Sequence, residues 1–184
     1  METVYQPELW RDLFVVLGSS SAALIGLLFI ATSLHLDEIV SNPVLRRRAY
    51  NNTRYLLITF VEAALLLLPQ PILMLSAELV AINLFGLWLP LINTYRYFHN
   101  NKEDRGYTGF VLSRAIIFSA SFLLGAAGGA TLIERLNWGI YLLTGSCIIV
   151  LVTVVLNSWS IMLGVGRAEE IKKSNRGKAR KSRA

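Results

Sequence analysis

The chain has 184 residues, 54% of them hydrophobic and 16% charged, with a formal net charge of +6. The length suits one domain, and the mean hydropathy of +0.50 is above that of soluble chains. The charges are segregated: long stretches carry none and the remainder carry nearly all, which excludes an ordinary soluble fold. The pI near 9.7 reads as the basic excess that multi-pass proteins keep on their cytoplasmic side, and it does not call for nucleic acid as a partner. Cys147 is the only cysteine, so neither a disulfide framework nor a thiolate metal pair forms within one chain. It reads as a small buried apolar side chain.

A spanning helix needs about 20 mainly apolar residues to cross a hydrocarbon core of ~30 Å. The first such segment covers residues 13–36. Glu2, Glu8, Arg11 and Asp12 precede it, unlike the positive start of a signal peptide, so a cleaved leader is not expected. The second covers residues 50–68 and the third 72–95, separated by Pro69, Gln70 and Pro71. Proline lacks a backbone donor and drives the residue before it out of the helical region. One helix across both segments would be about 69 Å long, more than twice the core thickness. A tight hairpin is therefore expected. The fourth segment covers residues 110–133 and the fifth 139–164.

The expected fold class is an all-α integral membrane protein, a five-helix transmembrane bundle over residues 1–166. Four spans is the alternative, if one arm of the hairpin only re-enters or lies at the interface. A basic tail at 167–184, low in apolar residues, reads as disordered. With five spans and a cytoplasmic C-terminus, sixteen of the 18 basic residues fall inside, and only Arg11 and Arg135 fall outside. This obeys the positive-inside rule and places the N-terminus outside; four spans would put basic clusters on both sides. Aromatic residues (Trp10, Tyr50, Tyr55, Tyr95, Tyr97, Phe98, Tyr107, Trp138, Tyr141) sit at the expected span ends, where amphipathic rings favour the headgroup level.

Four features could carry function. In the first span Gly18, Ala22 and Gly26 recur every four residues, and in the fourth span Ser121, Gly125 and Gly129 do the same. Small residues at that spacing let helix backbones approach closely. The stripes read as packing within the monomer or, alternatively, as an oligomer face or pore lining. Glu62 and Glu78 each lie eight residues from Gln70 on opposite arms of the hairpin, about 12 Å along each helix. An intramembrane carboxyl costs about 2.5–3.5 kcal/mol on insertion scales and marks a functional site by default. The two read as a depth-matched pair for a shared proton or cation, or as groups bonded separately to Asn83, Ser76 or another helix. At the inner end of the first span stand His35, a candidate pH sensor more often simply solvated, and Asp37 and Glu38. Arg46, Arg47 and Arg48 follow, suited to lipid headgroups. Asn83, Pro90 and Asn93 in the third span are polar or helix-loosening positions that serve as helix–helix glue or line a polar path.

No phosphate loop, zinc-protease helix, nucleophile elbow or potassium-filter motif occurs in the sequence, and no inverted repeat of broken helices. No metal, cofactor or enzymatic activity is therefore expected. The stretch from Ser20 to Asp37, Ser-Ser-Ala-Ala-Leu-Ile-Gly-Leu-Leu-Phe-Ile-Ala-Thr-Ser-Leu-His-Leu-Asp, resembles the opening helix of a family of small, uncharacterised bacterial multi-pass membrane proteins. Some of its members are labelled modulators of a membrane-anchored AAA protease. The resemblance implies a bacterial inner-membrane location and carries no catalytic residues across; His35 departs from it, standing where the pattern has Asn. The function expected from these readings is non-enzymatic. The protein would bind the bilayer and anionic headgroups, and act by helix–helix association with itself or another membrane protein as a regulator or assembly partner. The alternative is a homo-oligomeric channel or proton/cation conductor using Glu62 and Glu78.

Overall fold

The computed structural model describes residues 10–100, 108–134 and 138–181. The described residues form six helices and no strand: α1 (Arg11–Leu34), α2 (Leu36–Ser41), α3 (Pro43–Leu67), α4 (Ile72–Asn100), α5 (Thr108–Thr131) and α6 (Trp138–Lys181). Four stretches are long and apolar enough to cross a membrane: Arg11–Leu34, Ile72–His99, Val111–Thr131 and Trp138–Met162. α3 is not among them, because its first half holds Arg46, Arg47, Arg48, Asn51, Asn52 and Arg54.

The boundaries follow local chemistry. α1 ends at His35, whose backbone (φ −121°, ψ 36°) leaves the helical region, and the chain restarts as the single turn and a half of α2. Asn42 then caps α3, its Oδ1 accepting from the backbone N–H groups of Val44 and Leu45 at 3.0 and 3.3 Å, with Pro43 in the first helical position. α3 stops where the two prolines dictate. Leu68, the residue before Pro69, is extended at φ −75°, ψ 133°. α4 runs through Pro90 without ending; Pro90 is buried, and Thr94 donates to its carbonyl at 2.8 Å. α6 continues as one helix to Lys181, including residues that composition assigns to a disordered tail. Ala168, Glu169, Glu170, Lys172 and Lys173 are strong helix formers. Residues 182–184 lie outside the described residues, as do Arg135, Tyr107 and the polar segment 101–107.

α3 occupies the middle of the bundle. α1 and α2 pack on one side of it and α4 and α6 on the other; α5 lies against α4 and α6. Two apolar layers fill the interior. Phe14, Leu17, Leu75, Leu79, Leu132, Ile140, Leu143 and Cys147 form the layer towards the hairpin turn. Leu28, Tyr55, Leu56, Ile58, Leu89, Phe118, Phe122, Val150 and Val154 form the layer towards the basic end, where Tyr55 stacks on Phe118 with centroids 4.0 Å apart. At that end α2 turns Ile39 onto Leu45 and Ile161 and closes the base of the bundle. Trp10 meets Tyr141 edge-on at 4.7 Å at the opposite end.

The two small-residue stripes have different fates. Ser121, Gly125 and Gly129 are all buried. A side chain on Gly129 would press on Leu79 and Val80 of α4 at 3.1–3.2 Å, so this stripe holds α5 close to α4 inside the monomer. Of the α1 stripe only Gly18 is buried, beside Ala63, while Ala22 and Gly26 are exposed and a Cβ on Gly26 would meet nothing within 4 Å. The cause is helical geometry. Four residues rotate by about 400°, so each step of four drifts about 40°, and Gly18 points inward while Gly26 has turned out.

Candidate functional site

The buried polar groups form two layers, both built on α3. The upper layer centres on Glu62, which is 1% exposed. Asn83 of α4 donates from Nδ2 to Glu62 Oε1 at 3.1 Å and to the Leu79 carbonyl at 2.9 Å. The buried Cys147 of α6 is a further neighbour of the carboxyl. The carboxyl therefore lies where three helices meet, among neutral groups, and is held by the Asn83 amide. Gly125 of α5 completes the layer: a Cβ there would collide with Asn83 Oδ1 and lie 2.9 Å from Ser146 Oγ. The missing side chain is what lets α5 close over the Asn83 amide. Asn83 Oδ1 has no hydrogen-bond partner among the described residues. Ser146 donates to the Ser121 carbonyl at 2.8 Å and Ser76 to the Gly129 carbonyl at 2.7 Å, so both hydroxyls serve as interhelical ties.

Glu78 stands apart from Glu62. It is half-buried and accepts from Gln70 Nε2 at 2.9 Å, so it fastens α4 to the hairpin turn. The depth-matched carboxyls are bonded separately: Glu62 lies on the face of α3 that meets α4 and α6, and Glu78 reaches back towards its own helix start.

The lower layer contains residues that the sequence did not single out as site residues. Asn52 of α3 and Asn157 of α6, both buried, are joined by a hydrogen bond from Asn157 Nδ2 to Asn52 Oδ1. Asn52 Nδ2 donates to Ser158 Oγ at 3.0 Å. Arg48 turns inward and donates from Nη2 to Asn157 Oδ1 at 3.0 Å and to Ser160 Oγ at 2.5 Å. Arg114 of α5 donates to the same Ser160 oxygen at 3.3 Å. Asn157 was the available signal, as an amide in the middle of an apolar run; its partner Asn52 was hidden among the polar residues at the head of α3.

The remaining candidates are dispersed. Arg46 and Arg47 are exposed on the first turns of α3, so the arginine triplet divides, two side chains outward and one inward. Arg54 lies over the Tyr50 ring at 4.1 Å and donates to its hydroxyl at 2.9 Å. Asn93 is half-buried beside Tyr55. His35 is half-buried at the α1–α2 break. Among the described residues no group of three His, Cys, Asp or Glu side chains is placed to hold a metal ion. No family profile, curated protein or solved structure matches this chain.

Proposed function

We propose that this protein is a non-enzymatic component of the bacterial inner membrane that works by lateral helix–helix contact, as a regulator or assembly partner of other membrane proteins, with the outward face of α1 as its contact surface. The observation that carries this reading is the register of that face. Val15, Ser19, Ala22, Gly26, Phe29 and Ser33 are all exposed and follow one another at spacings of four, three, four, three and four. That is the seam of left-handed helix pairs, and its middle consists of small side chains that let a second backbone approach. α1 is also an edge helix: its inner face is spent on α3 and it touches α6 only lightly. The first-helix resemblance points the same way, since a modulator of a membrane-anchored protease would act by lateral contact.

The topology in this reading has five spans, the N-terminus outside and the C-terminus cytoplasmic. From Tyr50 to Leu67 α3 rises about 27 Å, close to the hydrocarbon thickness. Of its polar residues Asn52, Thr59 and Glu62 are buried against neighbouring helices and Asn51, Thr53 and Arg54 are half-buried at its basic end, so beyond its first turns lipid would meet Leu57, Phe60 and Val61. Average composition therefore understates the fitness of α3 to span. Single-cysteine accessibility in cells tests this: positions 103 and 176 are expected to be shielded from an impermeant reagent and position 134 open to it. Labelling of all three would refute the topology.

Association is tested with donor- and acceptor-labelled copies co-reconstituted in vesicles, and by capture of partners from membranes. Gly26→Ile is expected to abolish both energy transfer and capture while the melting temperature stays unchanged. Association unaffected by Gly26→Ile and by Ala22→Ile would overturn the proposal.

Glu62 favours a second reading, a homo-oligomeric proton or cation conductor. A carboxyl with only neutral partners at the junction of three helices is the usual dress of an ion-handling group. It stands second because Glu62 is sealed by its neighbours, and because Glu78 does not join it. A pH- or cation-dependent flux into liposomes that disappears in Glu62→Gln would move it to first place.

A further inference from the structure

One stripe of α3 is polar from the basic end of the bundle up to Glu62. Arg48, Asn52, Tyr55, Thr59 and Glu62 follow one another at spacings of four, three, four and three, which keeps them on one face of the helix. Arg48 is half-buried and the other four are buried. From Arg48 to Glu62 the stripe is about 21 Å long. The next position of the series, four residues on, is Leu66, which packs on the apolar layer of Leu75, Leu79, Leu132 and Leu143. The polar stripe thus opens at the basic end and stops at Glu62.

Hydrogen bonds connect the lower part of the stripe. Arg48 donates to Asn157, Asn157 to Asn52, and Asn52 to Ser158. Above them the steps from Asn52 to Tyr55, Thr59 and Glu62 measure about 4.5, 6 and 4.5 Å along the axis. One water with its two hydrogen bonds bridges about 5.5 Å. Ser21 of α1 is an independent sign of such a water. Its hydroxyl is fully buried and has no hydrogen-bond partner among the described residues. Gly18 lies at Ala63, and Leu28 packs in the layer of Tyr55 and Leu56, so α1 runs antiparallel to α3. Ser21, three residues after Gly18, is therefore level with the step from Thr59 to Glu62. Thr144 of α6, a turn before Cys147, has a second buried hydroxyl without a partner among the described residues. Buried hydroxyls left unsatisfied by side chains are the places where interior water is held.

We propose that Glu62 is a proton-binding site that exchanges with the basic end of the bundle alone, through the polar stripe of α3 and water held along it. The transfer is acid–base only: hydronium gives its proton to the Glu62 carboxylate and becomes water. Asn52 and Thr59, at 0% and 1% exposure, leave no bore for a hydrated metal cation, whereas a proton passes through hydroxyls and single waters. Cys147 of α6 is the other titratable side chain beside Glu62. α4 presents the Asn83 amide and α5 closes over it with Gly125, while on α1 the buried polar side chain at this level is Ser21. Glu78 turns to Gln70, and Arg48, Arg54 and Arg114 stay at the basic end. Loss of the proton leaves a full charge among neutral groups, so the packing of α3 against α4 and α6 responds to pH at the basic end. The site needs neither lateral association nor passage of ions across the bilayer.

Infrared spectroscopy of the full chain in vesicles sorted by orientation, with the C-terminal tail outward or inward, tests the site. The carboxylic-acid C=O band of Glu62 is identified as the band that Glu62→Gln removes. Its amplitude is expected to follow external pH in tail-out vesicles and luminal pH in tail-in vesicles. Thr59→Val keeps the shape of the side chain without its hydroxyl. It is expected to slow the response about tenfold, the effect of one lost hydrogen bond on a transfer barrier, and Thr59→Ser is expected to restore it. Ser21→Ala provides the same test if Thr59→Val fails to fold. An amplitude that follows the hairpin side or both sides, a spectrum with no pH-dependent band that Glu62→Gln removes, or a response as fast without the hydroxyl would each overturn the proposal. Proton flux across the same vesicles is read in parallel. A one-sided response without flux supports the site and counts against the conductor, so the two fail separately.

Discussion

Gly26 and Gly125 belong to the same sequence pattern, and the structure assigns them opposite consequences. Adding one methyl at Gly125 drives it into the amide of Asn83 and onto Ser146 Oγ. Asn83 is fully buried and holds both Glu62 and the Leu79 carbonyl, so it has no open space into which to swing. Turning it off its rotamer costs about 0.5–1.5 kcal/mol. Losing its interhelical hydrogen bond costs about 0.6 kcal/mol more, the average measured between membrane helices, and up to ~1.7 kcal/mol in the best cases. Gly125→Ala should therefore destabilise the bundle by about 1–3 kcal/mol, in the range known for overpacking. Gly26→Ala places its methyl where nothing lies within 4 Å, so it should be neutral or stabilise slightly through the better helix propensity of alanine. Both variants are measured by reversible denaturation in mixed micelles, at protein concentrations low enough to exclude association. A Gly125→Ala variant within 0.5 kcal/mol of wild type, or an equal loss in both variants, would refute the assignment of the two stripes.

Other expectations follow from the two polar layers and from the base of the bundle. Asn157→Leu breaks the links to Asn52 and Arg48 at once and should cost about 1–3 kcal/mol, whereas Arg47→Gln, on the exposed side, should fall within about 0.5 kcal/mol of wild type in the same denaturation measurement. Equal effects would mean that the lower layer contributes nothing to the fold. Glu62→Gln keeps an acceptor for Asn83 and should unfold near the wild-type midpoint; Glu62→Leu leaves the amide donor bonded only to Leu79 and should lower stability by about 1–2 kcal/mol. Ile39→Ala removes the contact of α2 with Leu45 and Ile161 and should speed hydrogen exchange in α2 and the first turns of α3 while leaving α5 unchanged. Uniform exchange across all helices would contradict α2 as a local clamp.

Much of the architecture was legible because membrane insertion is decided by local composition. A run of about 20 apolar residues identifies a span whatever it packs against, and two prolines around Gln70 stop a helix by covalent geometry alone. Four of the expected spans reappear as helices of spanning length and composition. α3 does not, because its polar residues lower its average hydropathy. Asn52, Thr59 and Glu62 count against it in any average over sequence, while in the fold they face other helices. The tail differed for another reason: low apolar content argued for disorder, yet helix propensity extends α6 through Lys181.

The candidate site was only half visible. Sequence by itself determined that Glu62 and Glu78 stand at equal distance from the hairpin turn, because that distance is counted along the chain. It could not determine which way each points. A carboxyl chooses its partners by azimuth around the helix, and azimuth acquires meaning only when neighbouring helices are in place. That is why Glu62 is found with Asn83 and Cys147, and Glu78 with Gln70. The same holds for the small residues of α1. Their spacing announces close packing, but a drift of about 40° per four residues divides the stripe between the bundle and the lipid. Only the tertiary structure decided that Gly18 belongs to the interior and that Ala22 and Gly26 remain outside, on a face that no other helix among the described residues covers.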